Sequence, residues 1–218
     1  MGSLDHLIYV CPDLKEGMKM VGKLLGVEPK VGGRHKRWGT WNAVVSLGPT
    51  VYLELLAPDP TSKPEEREGD SFWEDFGTER LGTFAIRTPK TGELGKFREE
   101  MKKSVSHDIG DPLKGSRKMP DGRELTWTIC SGFGKQIVGD GVVPFVLDWH
   151  DSFEKKVHPA QTSPQGCTLL SLKATHPKPE ELATIVDALC PSMKVSKAET
   201  VSLSATIRRA DGTEVVLK

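Results

Sequence analysis

His6 and Glu54 sit least easily among their neighbours in this 218-residue chain. His6 lies in LDHLIYV and Glu54 in VYLELLAPD, and both runs read as strands. Alternate residues of a strand share a face, so His6 falls with Leu4, Ile8 and Val10, and Glu54 with Tyr52 and Leu56. Both faces of the first run are largely apolar, which predicts cover on both sides: a helix on one, a cavity or core on the other. A carboxylate in such company is costly to bury unless it meets a metal, a cation or several hydrogen-bond donors. Each residue also has a plainer reading, His6 as a satisfied core histidine and Glu54 as an edge-strand carboxylate turned to water. A fold that curls the two strands round one cavity lets them act together.

The stretch GGRHKRWGTWN, residues 32–42, adds further polar chemistry. Gly32 and Gly33 allow a sharp turn, His35 follows in what reads as a glycine-rich loop, and Asn42 opens the next strand on a face with Val44 and Ser46. Trp38 and Trp41 are costly to leave in water, and apolar walls with a few placed polar groups are what small-molecule pockets use. The segment therefore reads as the rim and one wall of a cavity. The basic run Arg34 to Arg37 is too short to mark a nucleic-acid surface in a chain with 30 basic and 30 acidic residues.

Three segments could position these residues, each reading strand, X-Pro, amphipathic helix: residues 6–26, 83–103 and 170–190. Leu14, Met18, Val21 and Leu25 recur at helical spacing in the first. Asp13 is placed to cap that helix, with Glu16 three residues on, and Gly26 to close it. In each segment the proline is expected to stop the strand and ease the helix start. Strand pairs follow, with Asp121-Gly122 and Asp211-Gly212 as hairpin turns. The boundaries drawn are a first module over 1–58, a linker or surface loop over 59–80, a second module over 81–149, a loop over 150–167 and a compact third module over 168–218. Phe72, Trp73 and Phe76 suggest that part of the first loop docks, and both loops are long enough to read as lids.

With 22 glycines and 15 prolines the chain is turn-rich. No apolar run reaches the length of a bilayer span, and MGSLDHLIYV enters a strand pattern almost at once, so neither a membrane segment nor a signal peptide is expected. Cys11, Cys130, Cys167 and Cys190 are scattered without a C-x-x-C pair, which fits reduced thiols in a cytoplasmic protein. SGFGKQIVGDG lacks P-loop spacing and reads as a flexible hairpin or lid. No G-x-S-x-G elbow supports a hydrolase.

In order, LDHLIYVCPDL, GGRH with GT-x-N, YLELLAPDP, MPDGRELTW, VPFVLDW, HPAQTSPQGCTLLSL and His176-Pro177 resemble the glyoxalase-like domain of the vicinal-oxygen-chelate superfamily. The resemblance implies an α+β fold of repeated βαβββ modules, with sheets curled into a half-barrel around a central cavity. It places His6 and Glu54 at metal-ligand positions, while the second module offers only Thr83 and Asp148 nearby. His35 or His158 is the candidate third ligand, for one divalent transition metal (Fe, Mn, Zn or Ni). Glu54 and His35 are the candidate catalytic groups. Trp38, Thr40, Asn42, Trp127, Phe145, Trp149 and His158 are the candidate substrate contacts. The implied function is a metal-dependent lyase, isomerase or dioxygenase acting on a small molecule with adjacent oxygens. The alternative is a metal-free protein that binds or sequesters a small molecule, an aromatic or cationic ligand held on its tryptophans. Neither a nucleic-acid nor a membrane partner is expected, and the odd third module either extends the half-barrel or pairs across a homodimer.

Overall fold

The strand–helix motif is realised three times in the computed structural model, which describes residues 1–63, 65, 77–119, 121–130 and 138–218. The first unit contains β1 (Ser3–Val10), α1 (Leu14–Leu25), β2 (Lys30–His35), β3 (Thr40–Ser46) and β4 (Tyr52–Pro58). The second contains β5 (Arg80–Arg87), α2 (Leu94–Val105), β6 (Pro112–Lys118), β7 (Glu124–Cys130) and β8 (Phe145–Asp148). Together they form one eight-stranded sheet in the order β2-β3-β4-β1-β5-β8-β7-β6. The path is the same in each half: β1 runs parallel to β4 and β5 parallel to β8, and β1 and β5 join the halves as an antiparallel pair.

The sheet curls until its two end strands meet. A β carbon at Gly33 on β2 would lie 3.3 Å from Cδ of Arg117 on β6, so the glycine leaves the space that the arginine occupies. Leu7 and Tyr9 of β1 face the outer core beneath the helices, while Ile8 and Val10 face the concave side. Cover on both faces is thus the observed state of this strand. The expected alternation breaks at Asp5, where the β1–β5 register shifts between Leu4 and His6. A bulge of this kind re-aims side chains, and it puts Leu4 with the outer core instead of beside His6.

The first helix ends as read. Asp13 accepts from the backbone N–H groups of Lys15 and Glu16 at 2.8 and 3.0 Å, and Gly26 closes the helix in the left-handed region at φ 70°. The prolines serve less uniformly. Of the three helices in the strand–helix motifs, only α4 (Pro179–Leu189) carries a proline in its first turn; Pro12 precedes the α1 cap, and α2 begins beyond Glu93, well past Pro89.

Two segments read as loops are ordered elements. Gly32 to His35 belong to β2, and the turn is the single helical turn Lys36–Trp38 that follows. Residues 150–166 form a plug, not a lid. Within them α3 (Pro159–Thr162) and its approach put Val157 and Ala160 into the concave apolar cluster, with His158 fully buried. Phe72, Trp73, Phe76 and most of SGFGKQIVGDG lie outside the described residues.

The third unit holds β9 (Thr168–His176), α4, β10 (Val195–Lys197), β11 (Ser202–Arg208) and β12 (Glu214–Leu217). Its order, β10-β9-β11-β12, puts β9 inside its own sheet, so it does not extend the half-barrel. It lies on the convex side, with α4 against α2 and β11 against β5. Leu7, Phe84, Leu189 and Ile207 share one continuous core there. All four cysteines are free and buried. Burial pushes the Cys11 thiol up to about 12 and Cys130 up to about 11, with the Glu79 carboxylate adding to the first. No helix among the described residues is long and apolar enough to cross a membrane.

Candidate functional site

The concave face encloses a cavity of about 280 Å³ lined by both halves of the large sheet. From the first half come His6, Glu54, Asn42, Thr40, His35 and Trp38; from the second come Arg117, Trp127, Phe145 and Trp149. His6 on β1 and Glu54 on β4 are brought together because those strands are parallel neighbours, with Ile8 opposite Glu54. His6 Nε2 lies 3.6 Å from Glu54 Oε2.

A chain of hydrogen bonds runs behind this pair. His6 Nδ1 is 2.7 Å from Oδ1 of Asp5, and the Trp149 indole N–H donates to the same oxygen at 2.9 Å. Arg87 and His158 approach the other oxygen at 3.4 and 3.3 Å, the His158 contact lying off the line of a good hydrogen bond. Burial alone would raise the pKa of Asp5. The contacts from His158 and His6 outweigh it and hold the carboxyl well below the usual range. Ionised Asp5 is therefore an acceptor, His6 Nδ1 carries its proton toward it, and Nε2 is the nitrogen presented to the cavity.

Glu54 is fixed from the other side. Asn42 donates from Nδ2 to Glu54 Oε1 at 2.8 Å and accepts at Oδ1 from the Gly33 N–H at 2.7 Å. With both ends of its amide engaged, Asn42 orients Glu54 in the cavity wall. A β carbon at Gly32 would collide with that Asn42 oxygen, so the glycine pair serves the site as well as the strand. Tyr52 stacks on His6 with ring centroids 4.5 Å apart. Burial, then the charges of Glu54 and Asp5, keep its phenol protonated well above 10.

His35 is half-buried, with Nδ1 3.0 Å from the Thr40 hydroxyl. Burial lowers its pKa, against the pull of Glu54 and with a push from Arg117. His158 does not reach the cavity. It sits behind Asp5, stacked on Phe153 at 3.9 Å and accepting at Nδ1 from the Ala160 N–H, so its expected role as a substrate contact is corrected to one of support. Trp127 lies across β6, occupying the space that a side chain at Gly115 would need.

The expected metal triad does not assemble. Among the described residues no three His, Cys, Asp or Glu side chains are grouped to hold an ion. His6 and Glu54 make two donors; His35 does not join them and His158 is committed to Asp5. The second half explains the shortfall. Thr83 stands six residues before Pro89 as His6 stands six before Pro12. Phe145, opposite Ala85, holds the place that Glu54 holds opposite Ile8. Asp148, the other residue considered, accepts from the N–H groups of Gly92 and His150 and does not line the cavity. Catalytic metal sites ordinarily take three protein ligands, so this donor set does not fit a resident ion.

Asp5 and Arg117 escaped the sequence reading. An aspartate beside a histidine inside an apolar strand was the available signal for Asp5, hidden by the bulge. Nothing local marks Arg117 in KGSRK.

Comparison with known proteins agrees with this architecture. A hypothetical protein from Staphylococcus aureus matches at a TM-score of 0.72 and 13% identity, covering 100% of this chain and 99% of its own, a likeness of fold alone. Methylmalonyl-CoA epimerase from Mycobacterium tuberculosis matches at a TM-score of 0.40 and 14% identity, over 66% of this chain and 84% of that one. A variant of the Streptomyces coelicolor methylmalonyl-CoA epimerase gives 0.41 and 17%, over 67% and 93%. No curated protein matches by sequence. The family model described as the glyoxalase-like domain matches residues 4–190, which takes in the whole eight-stranded sheet, the plug and the start of the third unit; the chain belongs to the glyoxalase-like domain family.

Proposed function

We propose that the chain is an enzyme that moves a proton on a small molecule with adjacent oxygens, an isomerase or lyase. The observation that carries this reading is Glu54, the one carboxylate among the described residues that lines the cavity, held between His6 and Asn42. In this reading Glu54 takes a proton from the carbon beside a carbonyl, and the C–H electron pair moves into the new double bond. His6, when protonated, donates from Nε2 to the oxygen that gains charge, as a preorganised donor does. Glu54 then returns the proton to the neighbouring carbon, while the hydroxyl on the deprotonated carbon passes its proton back to His6 and becomes the new carbonyl. In a lyase the first carbonyl re-forms instead, its proton returns to His6, and the group on the next carbon leaves with its bonding pair. Asp5 holds the His6 tautomer and ring plane throughout.

The test is exchange of carbon-bound hydrogen in D₂O, followed by proton NMR over a panel of small hydroxy ketones and 2-oxo acids. General-base catalysis contributes about 100-fold or more, so Glu54→Gln is expected to reduce exchange by at least that factor, and chelator treatment to leave it unchanged. Exchange that persists in Glu54→Gln would sink the proposal. A second reading, metal-free binding or sequestration, is favoured by the rings of Trp38, Trp127, Phe145 and Trp149 around the same space. Ligands that quench tryptophan emission and never exchange a hydrogen would support it instead.

A further inference from the structure

We infer that the ligand of this cavity is an organic anion, its apolar body against Trp127 and Trp149 and its carboxylate or phosphate held by Arg117. The inference rests on reading the cavity as a small-molecule site and goes further in naming the ligand's charge and the residue that meets it.

The charges lining the cavity are lopsided. Among the described residues, Arg34, Lys36, Arg37, Lys114 and Arg117 line it together with one carboxylate, Glu54. Not all are available: Arg34 is taken by Asp59 and Thr61 and lies over the Trp41 ring. Arg117 differs from four other arginines of the chain. Arg98, Arg123, Arg208 and Arg209 each face a carboxylate, whereas the contact given for Arg117 among the described residues is the Met119 sulfur at 3.9 Å. A half-buried guanidinium without a counter-charge is costly, and its planar fork fits a carboxylate or phosphate with two parallel hydrogen bonds.

The fold also makes room for it. Gly32 and Gly33 of β2 lack the side chains that would crowd the arginine, a β carbon at either lying 3.3 Å from its Nη1. The charge of Arg117 is felt by His35 and by Tyr52, the ring stacked on His6. An anionic group on Arg117 therefore leaves the rest of the ligand extending along the aromatic wall toward His6 and Glu54. Lys36 and Lys114 at the mouth raise the local concentration of such ligands.

The experiment titrates tryptophan emission at fixed ionic strength with 3-phenylpropionate, phenyl phosphate and the uncharged 3-phenylpropanamide. A charge-assisted pair predicts that at least one anion binds about tenfold or more tighter than the amide, and the tighter anion identifies the head group. Arg117→Gln is expected to abolish the preference while amide binding persists. Arg117→Lys, which keeps the charge and loses the fork, is expected to retain part of it. Equal binding of amide and anions, no binding of any probe to the folded protein, or a preference untouched in Arg117→Gln each overturns the inference. A wild type that prefers anions yet exchanges no hydrogen refutes the proton-transfer proposal alone.

Discussion

Asp5 is fully buried and ionised, and the stability it confers depends on pH with a definite sign. Its folded-state pKa is depressed, so as pH falls the unfolded chain binds a proton first, near pH 4, and the native state loses stability from there down. His158 acts in the same direction in a higher window. Burial lowers its pKa against the pull of Asp5, so stability present above about 6.5 declines as pH falls below it. Urea midpoints measured from pH 7 to pH 3 are expected to drop in those two stages, and His158→Gln to flatten the upper one. Asp5→Asn removes the acceptor shared by His6, Trp149 and Arg87, and breaking a buried charge pair of this kind costs about 3–5 kcal/mol. An unchanged urea midpoint in Asp5→Asn would show that those donors find water or other partners.

Two glycines at strand positions shape the site through their neighbours. Gly32→Ala pushes on the Asn42 amide and so on Glu54; Gly115→Ala pushes the Trp127 ring off β6 into the cavity. Both variants are expected to fold and to bind ligand at least about tenfold more weakly, since misplacing a group by an ångström is costly at such sites. Binding at wild-type strength would place the ligand elsewhere. The strands carrying His6, Glu54 and Asn42 were legible in the sequence because a polar side chain in an apolar run has few places to go. The helix ends of α1 were legible because capping is local. The role of Arg117 was not, since β2 and β6 meet only when eight strands have curled, and no window of sequence contains both. The role of Asp5 was lost to a one-residue irregularity that reverses the expected faces.

At the scale of the whole molecule, the third unit is part of the same core and outside the site. Its Leu189 and Ile207 pack in one cluster with Leu7 and Phe84. Unfolding is therefore expected as one transition, with tryptophan emission and far-ultraviolet circular dichroism coinciding. Leu189→Ala is expected to cost about 2–5 kcal/mol and to leave ligand affinity unchanged. Two separated transitions would mean that the third sheet is an independent body. The two halves of the large sheet follow the same path yet are armed differently, with His6 and Glu54 on one wall and Thr83 and Phe145 at the matching places on the other. If Glu54 and His6 act as proposed, a ligand between the walls meets both from one side only. Hydrogen would then be picked up and set down on a single prochiral face, which suits a suprafacial shift and not the inversion of a stereocentre, and deuterium delivered from solvent is expected in one diastereotopic position of the product.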